Sequence, residues 1–280
     1  MKRLAIAFMA WFISLSSQAG DWEFSITPYL WLPTIEVLSS DANSGGGIGG
    51  DPGDPVEPDD NVRISIGPTD YLEALDLGFM IAGEARKDNL VLKGDLIYLD
   101  FSVGSEEVKV ENQTRSRNIA SYDSTLTAKM PTLLAGLNVI DTDNYHMDVL
   151  AGWRRADIDF DLKLDLDLLG RGLIPRIPIG VHLRSDDFIA AINGKYRFAD
   201  SGFSIPYYAD IGTGDSDLTW QVMLGLDYAF DSWTFHLNYR HLEYDFGNVT
   251  YTVPITRATE RLEDFEVVFS GPTIGAKFEF

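Results

Sequence analysis

Two sets of residues in this sequence have the types and spacing to do chemistry. The first is Asp210, Asp215, Asp217, His241 and Asp245, carboxylates and an imidazole within one stretch of chain. An acid beside a histidine can move a proton to or from water, the minimum for general acid–base hydrolysis. The second set mixes signs: Glu84 with Arg86, Lys93 with Asp95, Lys195 with Arg197, then Asp210 and Arg240. Partners two residues apart share one face of an extended strand, so these groups can line a common space and pair across it. Ion pairing is the plainer reading of both sets, because an enclosed charge must pair or meet water.

Other chemistries are excluded or weakened. The chain has no cysteine, which removes disulfides, thiolate zinc sites and thiol catalysis. The four histidines, His146, His182, His236 and His241, show no ligand spacing, so neither a cofactor nor a dedicated metal site is expected. GGGIGG at Gly45–Gly50 lies in a polar segment with no helix after it, so it is not a phosphate cradle. A formal charge of −21 argues against nucleic acid. The acids of Ser44–Asp60 offer contacts for divalent cations, also as bridges to lipopolysaccharide, although a solvated Gly/Pro-rich loop is the favoured reading.

The elements that must position these groups follow from the patterning. Residues 1–19 read as a cleavable export signal: Lys2 and Arg3, then the apolar run Leu4–Leu15, then Ser17-Gln18-Ala19. Residues 20–280 form one domain whose apolar residues recur with period two. Between Asp217 and Phe230 one face reads Leu218, Trp220, Val222, Leu224, Leu226, Tyr228, Phe230; the other reads Asp217, Thr219, Gln221, Met223, Gly225, Asp227, Ala229. A helix would scatter both sets around its axis. Ten such strands are expected at 21–36, 73–86, 89–103, 121–139, 144–160, 186–199, 201–214, 217–230, 232–246 and 267–280.

These predict an all-β fold: a transmembrane, antiparallel, up-and-down β-barrel of about ten strands. With both termini in the periplasm, the tight connections at Lys87–Asn89, Asp141–Asn144, Asp200-Ser201 and Asp231-Ser232 all fall on that side. Four of the five outer connections, 37–72, 104–120, 161–185, 214–217 and 247–266, are then long, as such barrels require. Leu75, Leu77, Phe79 and Ile81 face lipid, as do Leu90, Leu92, Leu96 and Tyr98, while the charged set faces the lumen. Alternation breaks twice, between Trp153 and Ile158 and again at Leu242, Tyr244 and Phe246, where a bulge or an exit from the membrane is expected. A soluble barrel with its apolar face inside is the rival, since alternation alone does not say which face is which.

The last strand separates the two. Thr273, Gly275, Phe278 and Phe280 carry a polar residue, a glycine two on, and two aromatics separated by one residue at the chain end. That pattern resembles the β-signal of outer-membrane proteins, which implies recognition by the barrel-assembly machinery. The segments ITPYLWLP (Ile26–Pro33), GEARKDNLVLKGDLIYLDF (Gly83–Phe101), PYYADIGTGDSDLTWQ (Pro206–Gln221) and YRHLEYDF (Tyr239–Phe246) are similar to those of a family of Gram-negative outer-membrane β-barrel proteins without an assigned activity. The resemblance implies location and fold and carries no catalytic residue over. The functional expectation is a structural, porin-like barrel or narrow channel with a charge-lined lumen and acidic outer loops, held in outer-membrane lipid and lipopolysaccharide. The alternatives are an outer-membrane enzyme using the rim acids and His241, or an adhesin using the long loops.

Overall fold

A computed structural model describes residues 22–40, 61–71, 75–112, 115–166, 177–199, 201–247, 249–252 and 259–280. The export signal and the Gly/Pro-rich segment Ser44–Asp60 lie outside them.

The strands, in chain order, are β1 (Glu23–Trp31), β2 (Thr34–Ser40), β3 (Asn61–Ile66), β4 (Leu75–Lys87), β5 (Leu90–Asn112), β6 (Arg115–Asp141), β7 (Tyr145–Leu166), β8 (Ile177–Arg197), β9 (Phe203–Gly214), β10 (Leu218–Ala229), β11 (Thr234–Asp245), β12 (Val249–Thr252) and β13 (Thr259–Glu279). One turn of helix, α1 (Pro68–Tyr71), precedes β4. The ring runs β1-β4-β5-β6-β7-β8-β9-β10-β11-β13 and closes by pairing β13 with β1. β2 continues β1 past Leu32-Pro33, because Trp31 faces Thr273 and Thr34 faces Ser270 in one unbroken register. The result is a closed antiparallel barrel of ten strands. Closure leaves no long open edge, which membrane spanning by strands demands. Its seam joins the two ends of the chain: Phe24 and Phe280 exchange N–H···O bonds, both 3.0 Å.

Three of the expected tight turns, at Lys87–Asn89, Asp141–Asn144 and Asp231-Ser232, are present at one end of the barrel; Asp200 of the fourth lies outside the described residues, while Phe198 N–H donates to the Phe203 carbonyl there at 3.1 Å. At Lys87–Leu90 the turn needs a left-handed residue, and Asp88 takes it at φ 50°. At the other end the expected loops 104–120 and 161–185 are corrected. β5 and β6 pair as far as Asn112 and Arg115, and β7 and β8 as far as Leu164 and Ile177. These strands reach 21–27 residues, about twice the crossing length. The sequence keeps strand alternation there, Val108 and Val110 against Glu107, Lys109 and Glu111, and Leu162 and Leu164 against Asp161, Lys163 and Asp165; loops were expected because such barrels carry long outer connections.

The wall is inverted relative to a soluble barrel. Phe188 is 76% exposed, Leu224 61% and Ile211 58%, while Asp148, Arg154 and Arg240 on the inner face are 4% or less. In water that would expose a continuous apolar belt and bury charges. In lipid it is the arrangement of lowest cost. Rings flank the belt at the turn end: Trp22 stacks on Phe24, Tyr196 meets Phe198 edge-on, and Phe203, Tyr228, Phe230 and Trp233 form a chain. They match an interfacial girdle. Trp153 lies toward the loop end, where its Nε1–H donates to Asp186 at 3.0 Å.

Both expected breaks in alternation are also corrected. β10, β11 and β13 hold one register from Asp245 to Thr234 with no bulge. β7 and β8 likewise pair without a break from Tyr145 to Leu164. Leu242, Tyr244, Ala156 and Ile158 therefore stay on the inner face and are at most 5% exposed. What changes along these strands is the lining: the lumen turns apolar toward the loop end.

Candidate functional site

The interior has three tiers. At the turn end the lumen opens into a vestibule of about 940 Å³. β4 and β5 pair so that Glu84 stands opposite Lys93, and the salt bridge that results is 2.8 Å. Glu84 also holds Arg86 at 2.5 Å and Lys277 of β13 at 3.9 Å. Arg86 then crosses to β7, where Nη1 and Nη2 donate to the two oxygens of Asp148 at 3.1 and 2.6 Å. Asp148 is fully buried and also accepts from Asn138 and Asn193. On the opposite wall Asp227 faces His236 across β10–β11, 2.5 Å from its Nδ1.

The middle tier is a strut across the lumen. Arg240 donates from Nε and Nη2 to Gln221 at 3.0 and 2.7 Å, and from Nη1 to Asp95 at 3.0 Å and Tyr29 at 3.1 Å. Tyr29 completes the loop by donating to Asp95 at 2.6 Å. Beside the strut, Arg154 reaches from β7 past β8 to Asp210 on β9, and both side chains are essentially inaccessible. Such pairs must be well made, since desolvating two charges costs several kcal/mol each.

The outer tier is apolar. Trp31, Met80, Ile97, Met130, Tyr244 and Phe269 belong to one buried cluster that also includes Leu242, Phe265 and Val267. None of these residues lines the vestibule. The Arg240 guanidinium sits 4.6 Å from the Trp31 ring centroid, so a cation–π contact joins the strut to this plug.

Of the residues expected from the sequence, Glu84, Arg86 and Lys93 come together, and so do Asp95 and Arg240. Asp210 is in the lumen, paired with Arg154, which the sequence reading missed. Two adjacent arginines, Arg154 and Arg155, hide which one faces inward, and the supposed parity break obscured the rest. Lys195 and Arg197 line the vestibule but touch no carboxylate among the described residues; there Arg197 reaches the carbonyls of Thr142 and Asp143, at 3.5 and 3.4 Å.

The hydrolytic set does not converge. Asp210 pairs across β9–β10 with Gln221, whereas His241 pairs with Val222, so the two lie on opposite faces of the wall. His241 packs against Trp220 with ring centroids 4.6 Å apart and planes tilted by 36°, and meets Glu243. Asp215 and Asp245 accept from the backbone N–H groups of Asp186 and Gly247, and so hold loop ends in place. Asp157, Asp159 and His182 bring ligand-type atoms within 4.8 Å of one another on the outer surface of β7 and β8. Among the β-signal residues, Thr273 is buried in the wall, Gly275 lies against Tyr29, Phe278 faces Ile26, and Phe280 closes the seam.

No protein-family model and no curated relative matches the sequence. Solved structures do resemble the fold. The outer-membrane protease OmpT from Escherichia coli superposes with a TM-score of 0.53 at 13% identity, covering 93% of this chain and 97% of that one. The translocator domain of the autotransporter NalP from Neisseria meningitidis gives 0.40 at 11%, covering 100% and 98%. Ail, the attachment invasion locus protein of Yersinia pestis, gives 0.30 at 9%, covering 93% and 99%. At these identities the likeness is one of fold: an outer-membrane type of β-barrel.

Proposed function

We propose that this chain is an integral outer-membrane barrel of a Gram-negative cell, closed at rest, with a charge-lined vestibule facing the periplasm beneath an apolar plug. The observation that carries the reading is the division of the lumen. The 940 Å³ vestibule is lined only from the turn end, and the buried cluster around Trp31 and Phe269 fills the loop end. A ten-stranded bore is narrow enough for side chains to fill, and dry apolar packing leaves an ion nowhere to exchange its hydration water. Outer-membrane lipid and lipopolysaccharide surround the belt of Phe188, Leu224 and Ile211. The barrel-assembly machinery reads the strand that bears Thr273, Gly275, Phe278 and Phe280. Opposite-face placement of Asp210 and His241 disfavours the hydrolytic alternative.

Planar-bilayer recording tests this reading. The refolded protein is expected to give no sustained conductance steps, whereas Trp31→Ala combined with Phe269→Ala gives steady ones. Those rings are each 1% exposed with centroids 6.1 Å apart, so their removal empties the centre of the plug. Steady ohmic steps from the unaltered protein would refute closure.

A further inference from the structure

We propose that the wall of the barrel parts sideways between β1 and β4, and that the apolar tier behind this split takes up one acyl chain of a surrounding membrane lipid when the Met80 side chain moves aside. The proposal rests on the membrane-spanning reading above and is independent of whether the lumen conducts ions.

Three observations meet at this place. The first is where the ladder ends. β1 and β4 pair from Glu23 opposite Arg86 to Pro28 opposite Ile81, and no further. β4 carries on from Met80 back to Leu75 with β5 alone paired to it among the described residues. β2, which continues β1, takes β3 as its neighbour instead, with Ile35 facing Ile66. The two sides of the wall therefore diverge where Tyr29, Leu30 and Trp31 would have faced Met80, Phe79 and Gly78. Pro28 stands at the fork, and the pairing of β1 with β13 also skips Thr27 and Pro28. Hydrocarbon gives backbone groups no partner, so spanning barrels close their ladders; a short split at this depth departs from that rule.

The second is what holds the split shut. Leu32 N–H donates to the Pro272 carbonyl of β13 at 3.0 Å. Successive amides of a strand point to opposite sides, so Trp31 N–H points toward β4. There it meets Sδ of Met80 at 3.0 Å, in place of a strand carbonyl. A thioether is a weak acceptor and the methionine side chain is unbranched and adaptable, so this contact is readily exchanged for another.

The third is the match between the two sides. Leu30 and Phe79, on the outer rim, are exposed within the lipid belt. Trp31, Ile35, Met80, Ile97 and Leu99, just inside, belong to the buried apolar cluster. Lipid tails are as apolar as leucine side chains, so a chain that crosses the split exchanges one apolar surrounding for another. An ion, a sugar or a peptide would have to shed its water to follow. The chains of the bilayer itself touch this rim at the highest concentration, which makes them the occupant that the opening fits.

Photolabelling of the refolded protein in phosphatidylcholine bilayers, with a diazirine midway along one acyl chain and the labelled residues mapped by mass spectrometry, tests the proposal. Phe188 and Leu224 on the belt report ordinary lipid contact. Labels on Met80 and Trp31 are expected, with none on Leu150, which is as deeply buried but lies behind unbroken ladders on both sides. Met80→Ala should raise the Trp31 label several-fold, and Met80→Leu, which refills the split, should return it to the parental level. Only the folded, heat-modifiable band of each variant is mapped, and the parental pattern decides the matter if Met80→Ala fails to fold. Labels confined to outward-facing residues would overturn the proposal, as would equal labelling of Trp31 and Leu150. Labels missing from Phe188 and Leu224 as well would instead overturn the membrane reading on which it rests. A free diazirine fatty acid in unlabelled bilayers supplies the other source: inner labels from it alone would refute uptake of a bilayer lipid.

Discussion

Arg240 and Asp95 provide the sharpest test of the lumen, because they join strands that are not neighbours in the ring. The Arg240 side chain is buried and makes contacts with Gln221, Tyr29, Asp95 and the Trp31 ring; the Asp95 side chain is 21% exposed and meets the vestibule. Asp95→Ala leaves a buried guanidinium with neutral acceptors alone, which should cost about 3–5 kcal/mol. Arg240→Met is milder, about 2 kcal/mol, since Asp95 keeps the Tyr29 hydroxyl at 2.6 Å and can take water from the vestibule. The double variant removes both charges, so its cost should fall short of the sum of the singles by about 2 kcal/mol. Urea titration of the refolded barrel in lipid vesicles, followed by tryptophan fluorescence, measures all three. A coupling under about 0.5 kcal/mol would mean that the pair does not act as a unit. Arg240→Met costing more than Asp95→Ala would reverse the argument about which charge is the more deeply buried.

Two further outcomes follow from the wall. A Cβ on Gly152 would lie 1.9 Å from the Leu133 carbonyl oxygen and 2.8 Å from the Leu134 Cα, so Gly152→Ala must part β6 from β7. It should lower the urea midpoint by the equivalent of at least about 2 kcal/mol, while Gly83→Ala, whose nearest contact is 3.9 Å, leaves it unmoved. Deleting Phe280 removes both seam bonds to Phe24; it should cut the heat-modifiable barrel recovered from outer membranes several-fold yet leave refolding into detergent largely intact. Equal losses in the two assays would assign Phe280 to stability alone and count against recognition by the assembly machinery.

The ten strands and their turns were legible because lipid and lumen impose opposite demands on alternate residues. Phe79, Leu92, Leu96, Phe188 and Leu237 are exposed as the parity required, and Glu84, Lys93, Asp95 and Arg240 face inward. Beyond the crossing the contrast runs on, with Val108 and Val110 against Glu107, Lys109 and Glu111 in the extended pairing with β6, and ending the strand near the crossing length, at Val103, missed it. The reading also failed where the contrast vanishes. In the plug the inner face is as apolar as the outer one, so Leu242 and Tyr244 looked like a change of phase when only the lining had changed. Arg154 was lost for the same reason: with Ala156 and Ile158 assigned to an uncertain phase, nothing marked it as the partner of Asp210. Pairings such as Arg86 with Asp148 depend on the curvature that brings β4 opposite β7, which no local pattern encodes.

The order of the tiers has a mechanical consequence. A closed barrel satisfies its backbone within the wall, so lumen side chains are not needed to make it span and are free to set access. Here they set it differently at the two ends. Among the described residues, the lumen cations without a carboxylate contact, Lys195 and Arg197, lie on the turn side, and the apolar seal lies on the loop side. Arg240 is the one lumen cation that touches both regimes, through Asp95 below and the Trp31 ring above. Anything that draws Arg240 toward the vestibule weakens its hold on Trp31, the largest side chain of the plug. That makes the strut the place where the charge balance of the vestibule and the packing of the plug are coupled.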